Sequence, residues 1–285
     1  MKIVILSGKG GTGKSSITSS LALGLSDEGI VLVDADVDCP NQHILFPGKN
    51  LRKSPLYVSK TALFDHGKNV SESCAQVCRF GALSVKNGKA FIDKIKCEGC
   101  GACTVLHPDA FSLIPKFGGD LIVREGNDFP LVYGVLEPGE SGSGKIVFEV
   151  KKAAEEVANE RGYGITLIDA PAGIGCPVIA AVTGCNYAVG VVEPTPASIA
   201  NLQRALEVVS QFQIPYSIIL NKAGLSEKYE QKIRTIFGSS LIAEIPYDEE
   251  VPRLLAKGIP PALGSGGAAE ALKKAVLAVK EMTDL

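Results

Sequence analysis

Apolar residues fall along this chain in two rhythms. Short unbroken runs at residues 2–6, 30–33, 165–168, 187–192 and 216–220 predict strands covered on both faces. Longer stretches with helical spacing lie between and after them, at 15–28 (Ile17, Leu21, Leu25), 146–161, 197–212, 226–237 and 268–282. Gly29 stands where the first helix should stop, and 241–243 reads as a short last strand. Strands alternating with helices predict an α/β fold with a doubly wound, mostly parallel sheet.

The rhythm breaks from about residue 41 to 144. That segment is rich in Gly, Pro and Cys and offers only short strand-like pieces. We therefore expect a small insert at 55–135 in one α/β domain built from 1–54 and 136–285. Inside it, Cys-Arg-Phe-Gly-Ala-Leu at 78–83 loosely echoes 107–113, and a short cysteine motif precedes each, as in a duplicated half-module. Gly142-Ser143-Gly144-Lys145 mimics part of a phosphate loop and reads as the linker returning from the insert.

Composition narrows the function. The 285 residues carry a net charge of −2, which leaves no general basic field for nucleic acid. Trp is absent and aromatics are 6%, which disfavours base-stacking platforms. No run approaches the roughly 18 apolar residues of a membrane span, and the run ending at Leu6 is short for an export signal. A cytoplasmic location is expected. Five of the eight cysteines fall between positions 74 and 103, and in a reducing compartment such clustering points to metal before disulfides.

Gly8-Lys9-Gly10-Gly11-Thr12-Gly13-Lys14-Ser15 fits G-x-x-x-x-G-K-[ST] between a strand and a helix. Its glycines let backbone N–H groups turn toward phosphate oxygens, and the helix adds its positive end. Lys14 is expected on the β- and γ-phosphates and Ser15 on Mg²⁺, with Ser16 continuing the phosphate-binding turn. Asp34, Asp36 and Asp38 crowd the C-terminal end of one strand, where α/β sheets bind ligands. A cation makes such a cluster tolerable. Asp169 ends a second apolar strand and leads into Pro171 and Gly173, as a Walker B strand leads into a switch loop.

Loop, acids and switch together resemble the MinD/ParA superfamily of deviant Walker A ATPases, to which the nitrogenase iron protein and the Mrp-type ATPases are related. More narrowly, the chain resembles members with an inserted ferredoxin-like domain. That resemblance implies a Mg²⁺-dependent ATPase working as a nucleotide-sandwich homodimer, with Lys9 reaching the partner's phosphates. It implies that Asp34 and Asp169 hold Mg²⁺ through water, and that Gly173 brings an N–H to the γ-phosphate. Asp36 or Asp38 would orient the attacking water, with Asp38 slightly favoured. Asn221 and Lys222 after one strand, and Pro246, Tyr247 and Asp248 after another, would contact adenine.

The cysteines sort by spacing. Cys97, Cys100 and Cys103 form C-x₂-C-x₂-C, but His107 stands before Pro108 where a bacterial ferredoxin half has its fourth cysteine. Counting back from Cys78 gives Cys74, then Ser71 and Lys68. In two-cluster ferredoxins the fourth cysteine ligates the other cluster. One cluster would thus rest on Lys68, Ser71, Cys74 and His107, which cannot hold it. The other would rest on Cys78, Cys97, Cys100 and Cys103, all present. The expectation is one [4Fe–4S] cluster, with Cys74 and His107 as remnants. Zinc on Cys74, Cys78, Cys97 and Cys100 is the competing assignment, and it leaves Cys103 unused. Cys176 reads as a small buried or redox-neutral residue, the alternative being a site shared across a dimer; Cys39 and Cys185 read as packing residues. Three functions follow: ATP-gated electron transfer to an unidentified redox protein, a metallocofactor carrier or maturation ATPase, and a MinD/ParA-type positioning ATPase. The complete ligand set favours the first.

Overall fold

A computed structural model describes residues 1–126 and 128–284. Its strands are β1 (Lys2–Leu6), β2 (Ile30–Asp34), β3 (Lys49–Phe64), β4 (Leu83–Lys86), β5 (Lys89–Ile92), β6 (Phe111–Glu125), β7 (Pro130–Leu136), β8 (Ile165–Asp169), β9 (Tyr187–Val192), β10 (Tyr216–Ala223) and β11 (Leu241–Pro246). Its helices are α1 (Lys14–Gly24), α2 (Gln42–Leu45), α3 (Ala102–Leu106), α4 (Gly144–Arg161), α5 (Cys176–Val182), α6 (Pro196–Gln211), α7 (Glu227–Phe237), α8 (Glu250–Leu255) and α9 (Gly267–Thr283).

One nine-stranded sheet runs β11-β10-β9-β1-β8-β2-β7-β6-β3. The pairs from β11 across to β7 are parallel. Strand order reverses around β1, with β8 on one side and β9 on the other. The crevice beyond the carboxyl ends of strands at such a reversal is where open α/β sheets bind ligands. The mostly parallel α/β architecture is the one the hydrophobic pattern predicts.

The chain divides into two compact units. The larger comprises Met1–Ser54, Leu121–Val135 and Gly142–Leu285; the smaller comprises Pro55–Asp120 and Leu136–Ser141. In the larger unit Ile3, Ile5, Leu32 and Leu167 are fully buried and pack with Ile17 and Leu21 of α1 and Leu272 and Val276 of α9. Each such side chain contributes about 1.5–3 kcal/mol of burial. The two-sided covering explains why the strands read as unbroken apolar runs.

Three expectations change. The helix expected at 15–28 ends at Gly24, and a 3₁₀ turn at Ser26–Glu28 carries the chain to Gly29 at φ 72°. Residues 41–144 hold two long strands, β3 and β6, of 16 and 15 residues, not only short pieces. Both are dominated by partly or fully exposed positions and broken by Lys, Pro or Gly, so neither makes an apolar run. Finally, residues 121–135 fall in the larger unit, whereas the sequence grouped them with the insert. The cause is β7, which pairs parallel with β2 (Leu32 opposite Leu131) and whose Leu131 and Val132 are fully buried.

The smaller unit has little core. Phe64, Cys74, Leu83, Ala90, Ala110 and Phe111 form its buried cluster. β4 and β5 make an antiparallel hairpin turned by Asn87 and Gly88, at φ 53° and 77°. Positive φ at both turn residues matches the twist of the paired strands.

Candidate functional site: a nucleotide cleft and a cysteine cavity

The phosphate loop joins β1 to α1. Gly11 and Gly13 adopt φ 80° and 89°, a left-handed conformation that glycine takes without strain. Lys14 opens the helix, so the loop faces the helix's positive end. A cavity of about 650 Å³ opens there. Lys9–Ser16, Asp36 and Asn41 line it, as do the apolar Pro246, Val251, Pro252 and Leu255. Its size lies within the usual range for small-molecule sites.

The loop is braced from below. A Cβ on Gly8 would stand 2.1 Å from the backbone carbon of Asn201 in α6. Gly8 does not line the cavity; it lets the loop lie against that helix. The structure thus gives Gly8 a packing role beside the phosphate contact that its motif implies. Gly8→Ala is expected to destabilise the chain by about 3 kcal/mol, read from the denaturant midpoint. An unchanged midpoint would show that the loop yields. A Cβ on Gly13 would meet Asn221 Nδ2 at 2.1 Å. Asn221 Nδ2 donates to the Thr12 carbonyl at 2.8 Å, and Lys222 Nζ to the Gly11 carbonyl at 2.6 Å. Both residues line the cavity, so they buttress the phosphate loop rather than serve only an adenine. Tyr247 and Asp248 also line it, and Asp248 Oδ1 accepts the Glu250 N–H at the start of α8.

Lys14 is buried and donates to Asp169 Oδ1 at 2.5 Å. Asp169 also accepts from Thr18 Oγ1 at 3.1 Å and Gln42 Nε2 at 2.8 Å. Strand register sets Asp34 beside Asp169. Asp34 accepts the backbone N–H groups of Asn41 and Gln42, at 2.7 and 2.9 Å. Burial, then the neighbouring Asp169 charge, push its carboxyl up to about 7. Asn41 Nδ2 donates to Ser15 Oγ at 3.2 Å, and Gln42 Nε2 also reaches the Ser15 carbonyl at 3.1 Å. Asp34 and Asp169 are fully buried and do not line the cavity, whereas Ser15 does; two carboxylates and a serine hydroxyl are the hard-oxygen donors that suit Mg²⁺.

Two assignments shift. Asp36 lines the cavity, half buried, and burial pushes its carboxyl up while Lys14 draws it down. Asp38, the slightly favoured water-orienting acid, is exposed, does not line the cavity, and accepts the Gly142 N–H at 2.6 Å. The Gly173 N–H donates to the Ser7 carbonyl at 3.0 Å, so it is not presented to a γ-phosphate; Ala172 lines the cavity instead.

Sequence reasoning missed Asn41, Gln42, Glu193 and the α8 wall. Asn41 and Gln42 follow the acid-rich turn, which was their only signal. Glu193 comes directly after β9 and ion-pairs both Lys9 and Lys222. Burial pushes its carboxyl up, but the Lys222 and Lys9 ammoniums hold it below the usual range.

Residues 3–261 match the family model described as the CobQ/CobB/MinD/ParA nucleotide binding domain. The chain belongs to this family. A relative in Methanocaldococcus jannaschii, the uncharacterized protein MJ0578, is 38% identical over 285 residues, covering 99% of this chain and 97% of the relative. A second protein of that organism, MJ0579, is 29% identical over 259 residues, or 90% of each chain. Among solved structures, MinD with Mg-ADP from Pyrococcus horikoshii superposes with TM-score 0.63 at 18% identity, covering 99% of this chain and 96% of that one. MinD in the MinC:MinD complex of Aquifex aeolicus gives 0.59 at 20%, covering 98% and 96%. These similarities show a shared fold.

The smaller unit of this CobQ/CobB/MinD/ParA member has its own cavity, of about 30 Å³. Cys78, Cys97, Cys100 and Cys103 all line it, among Ala62, Phe80, Leu83 and Leu113. Among the described residues, no three His, Cys, Asp or Glu side chains converge as they would on a single ion. Backbone N–H groups of Ala62 and Ala82 point at Cys97 Sγ and Cys78 Sγ, at 3.4 and 3.3 Å. Burial pushes the Cys97 thiol up, but the Ala62 N–H and the Thr61 hydroxyl bring it below its usual range. Cys74 does not line this cavity; it is buried in the unit's core, and His107 follows the end of α3. Cys185 is buried as expected of a packing residue, but Cys39 and Cys176 are exposed, so neither serves packing. No helix among the described residues is long and apolar enough to cross a membrane.

Proposed function

We propose that the chain is a Mg²⁺-dependent ATPase of the MinD/ParA type, a nucleotide-switched homodimer. The observation that carries this reading is the arrangement around Lys14: an amine held on Asp169, beside a cavity lined by the phosphate loop, at the reversal point of the sheet. ATP phosphates offer Lys14 a stronger anion than one carboxylate, so binding draws the amine off Asp169. Thr18 and Gln42 keep that carboxylate oriented when the amine leaves. Ser15, Asp34 and Asp169 would hold Mg²⁺, which supplies charge neutralisation at the phosphates. Asp36, at the cavity wall, orients water. Lys9→Ala tests the dimer: ATP-dependent dimerisation is expected to vanish while the monomer stays folded, its melting temperature falling only by the loss of one ion pair to Glu193. An unaltered ATP-induced dimer by light scattering would defeat the cross-subunit role.

A second reading concerns the smaller unit. The four cysteines singled out by spacing are the four that surround its cavity, and Cys74 is not among them. Backbone N–H groups directed at two of the sulfurs suit thiolate ligands. This supports a ferredoxin-like insert with one [4Fe–4S] cluster on Cys78, Cys97, Cys100 and Cys103, adding electron transfer to the nucleotide switch. Anaerobic protein is then expected to bind about four irons per chain. A nucleotide-dependent shift in reduction potential supports electron transfer; ATP-dependent iron release to an apo-acceptor supports a carrier.

A further inference from the structure

Lys9 and Lys222 both line the nucleotide cavity, and one carboxylate holds both. Glu193 Oε1 ion-pairs Lys9 Nζ, and Oε2 sits 2.7 Å from Lys222 Nζ. Lys222 is held a second time, by the Gly11 carbonyl of the phosphate loop. Glu193 itself is only 6% exposed, and its position is fixed locally. Its N–H donates to Ser198 Oγ at 3.0 Å, and Thr195 Oγ1 donates to Oε1 at 3.5 Å.

Two ammoniums beside one another in a partly desolvated cleft repel strongly unless an anion lies between them. Glu193 is that anion in this structure. Its single charge faces two lysines and leaves the cleft attractive to a polyphosphate. A bound polyphosphate gives the same two lysines several anionic oxygens, and Glu193 then repels it. Lys9 has reason to leave Glu193 only when phosphate is present.

We propose that Glu193 is a phosphate surrogate that holds Lys9 and Lys222 until nucleotide arrives, which makes release of Lys9 for dimer contact conditional on nucleotide. This rests on the ATPase-dimer reading above. Glu193 is a positioning residue: it acts through the lysines and does not line the cavity. The arrangement lowers nucleotide affinity while it stabilises the empty chain. A purely structural ion pair would do only the second.

Those opposite signs supply the test. Glu193→Gln is expected to bind mant-ADP and AMPPNP about tenfold more tightly than wild type at low salt. Its melting temperature should fall without nucleotide and return to the wild-type value when nucleotide is saturating. Glu193→Asp, which keeps the charge, should stay within about threefold of wild-type affinity. In a Lys9→Ala background, Glu193→Gln should change affinity by less than half as much on a logarithmic scale, because one of the two ion pairs is already gone. Weaker or unchanged nucleotide binding by Glu193→Gln, with equal melting losses in both states, would leave Glu193 a structural residue and overturn the surrogate. A wild-type chain that binds neither nucleotide would overturn the ATPase reading and the surrogate with it.

Discussion

Asp36→Asn is expected to lower steady-state ATP hydrolysis by a hundredfold or more, a loss of about 10²–10⁴ being usual for a positioned acid or base. Nucleotide affinity should remain within a few-fold of wild type. Asp38→Asn should leave both quantities nearly unchanged. Only geometry separates the two acids, since each stands two residues from the next at the same strand end. Asp36 lines the cavity, and burial raises its carboxyl, so it can approach a water without full solvation. Asp38 is exposed and spends its carboxylate on the Gly142 N–H, a bond that an asparagine oxygen can also accept. Phosphate release at saturating Mg-ATP decides the matter. If Asp38→Asn is the inactive variant and Asp36→Asn turns over normally, the assignment is reversed.

The contrast between these acids marks where sequence stops being legible. Three carboxylates after an apolar strand announce a ligand-binding end of a sheet, because strand ends and charge are local properties. Which carboxylate faces the ligand depends on the turn from Ala35 to Asn41, and that turn is held by bonds from Asp34 to residues 41 and 42. The same limit hid Glu193. Nothing near it in the chain names Lys9 or Lys222 as partners, which are 184 and 29 positions away in sequence. Gly8 shows the same limit from another side. The motif explains it as a phosphate contact, but its backbone is pressed against α6, and tertiary packing requires the glycine. β7 was missed for a simpler reason. Pro130 and Gly134 interrupt an otherwise apolar run within a segment already set apart by its composition, though Leu131 and Val132 are as buried as the strands that were recognised.

Replacing the cysteines one at a time separates the two metal assignments. Cys103→Ser is expected to remove the iron from anaerobically prepared protein and to open residues 55–120 to limited proteolysis. Cys74→Ser should keep the iron and cost about 1–3 kcal/mol from an unpaired hydroxyl in a buried position. The argument begins from the smaller unit's core, in which the buried cluster includes only three large side chains, Phe64, Leu83 and Phe111. A unit with so little apolar burial needs a further stabiliser, and ligand binding supplies folding energy to segments of this kind. Cys74 already belongs to that core and does not line the cavity. Cys103 lies at the cavity with Cys78, Cys97 and Cys100. The zinc assignment makes the reverse forecast, because it uses Cys74 and spares Cys103. Metal lost on Cys74→Ser and retained on Cys103→Ser, with zinc in place of iron, would therefore replace the cluster with a tetrahedral zinc site.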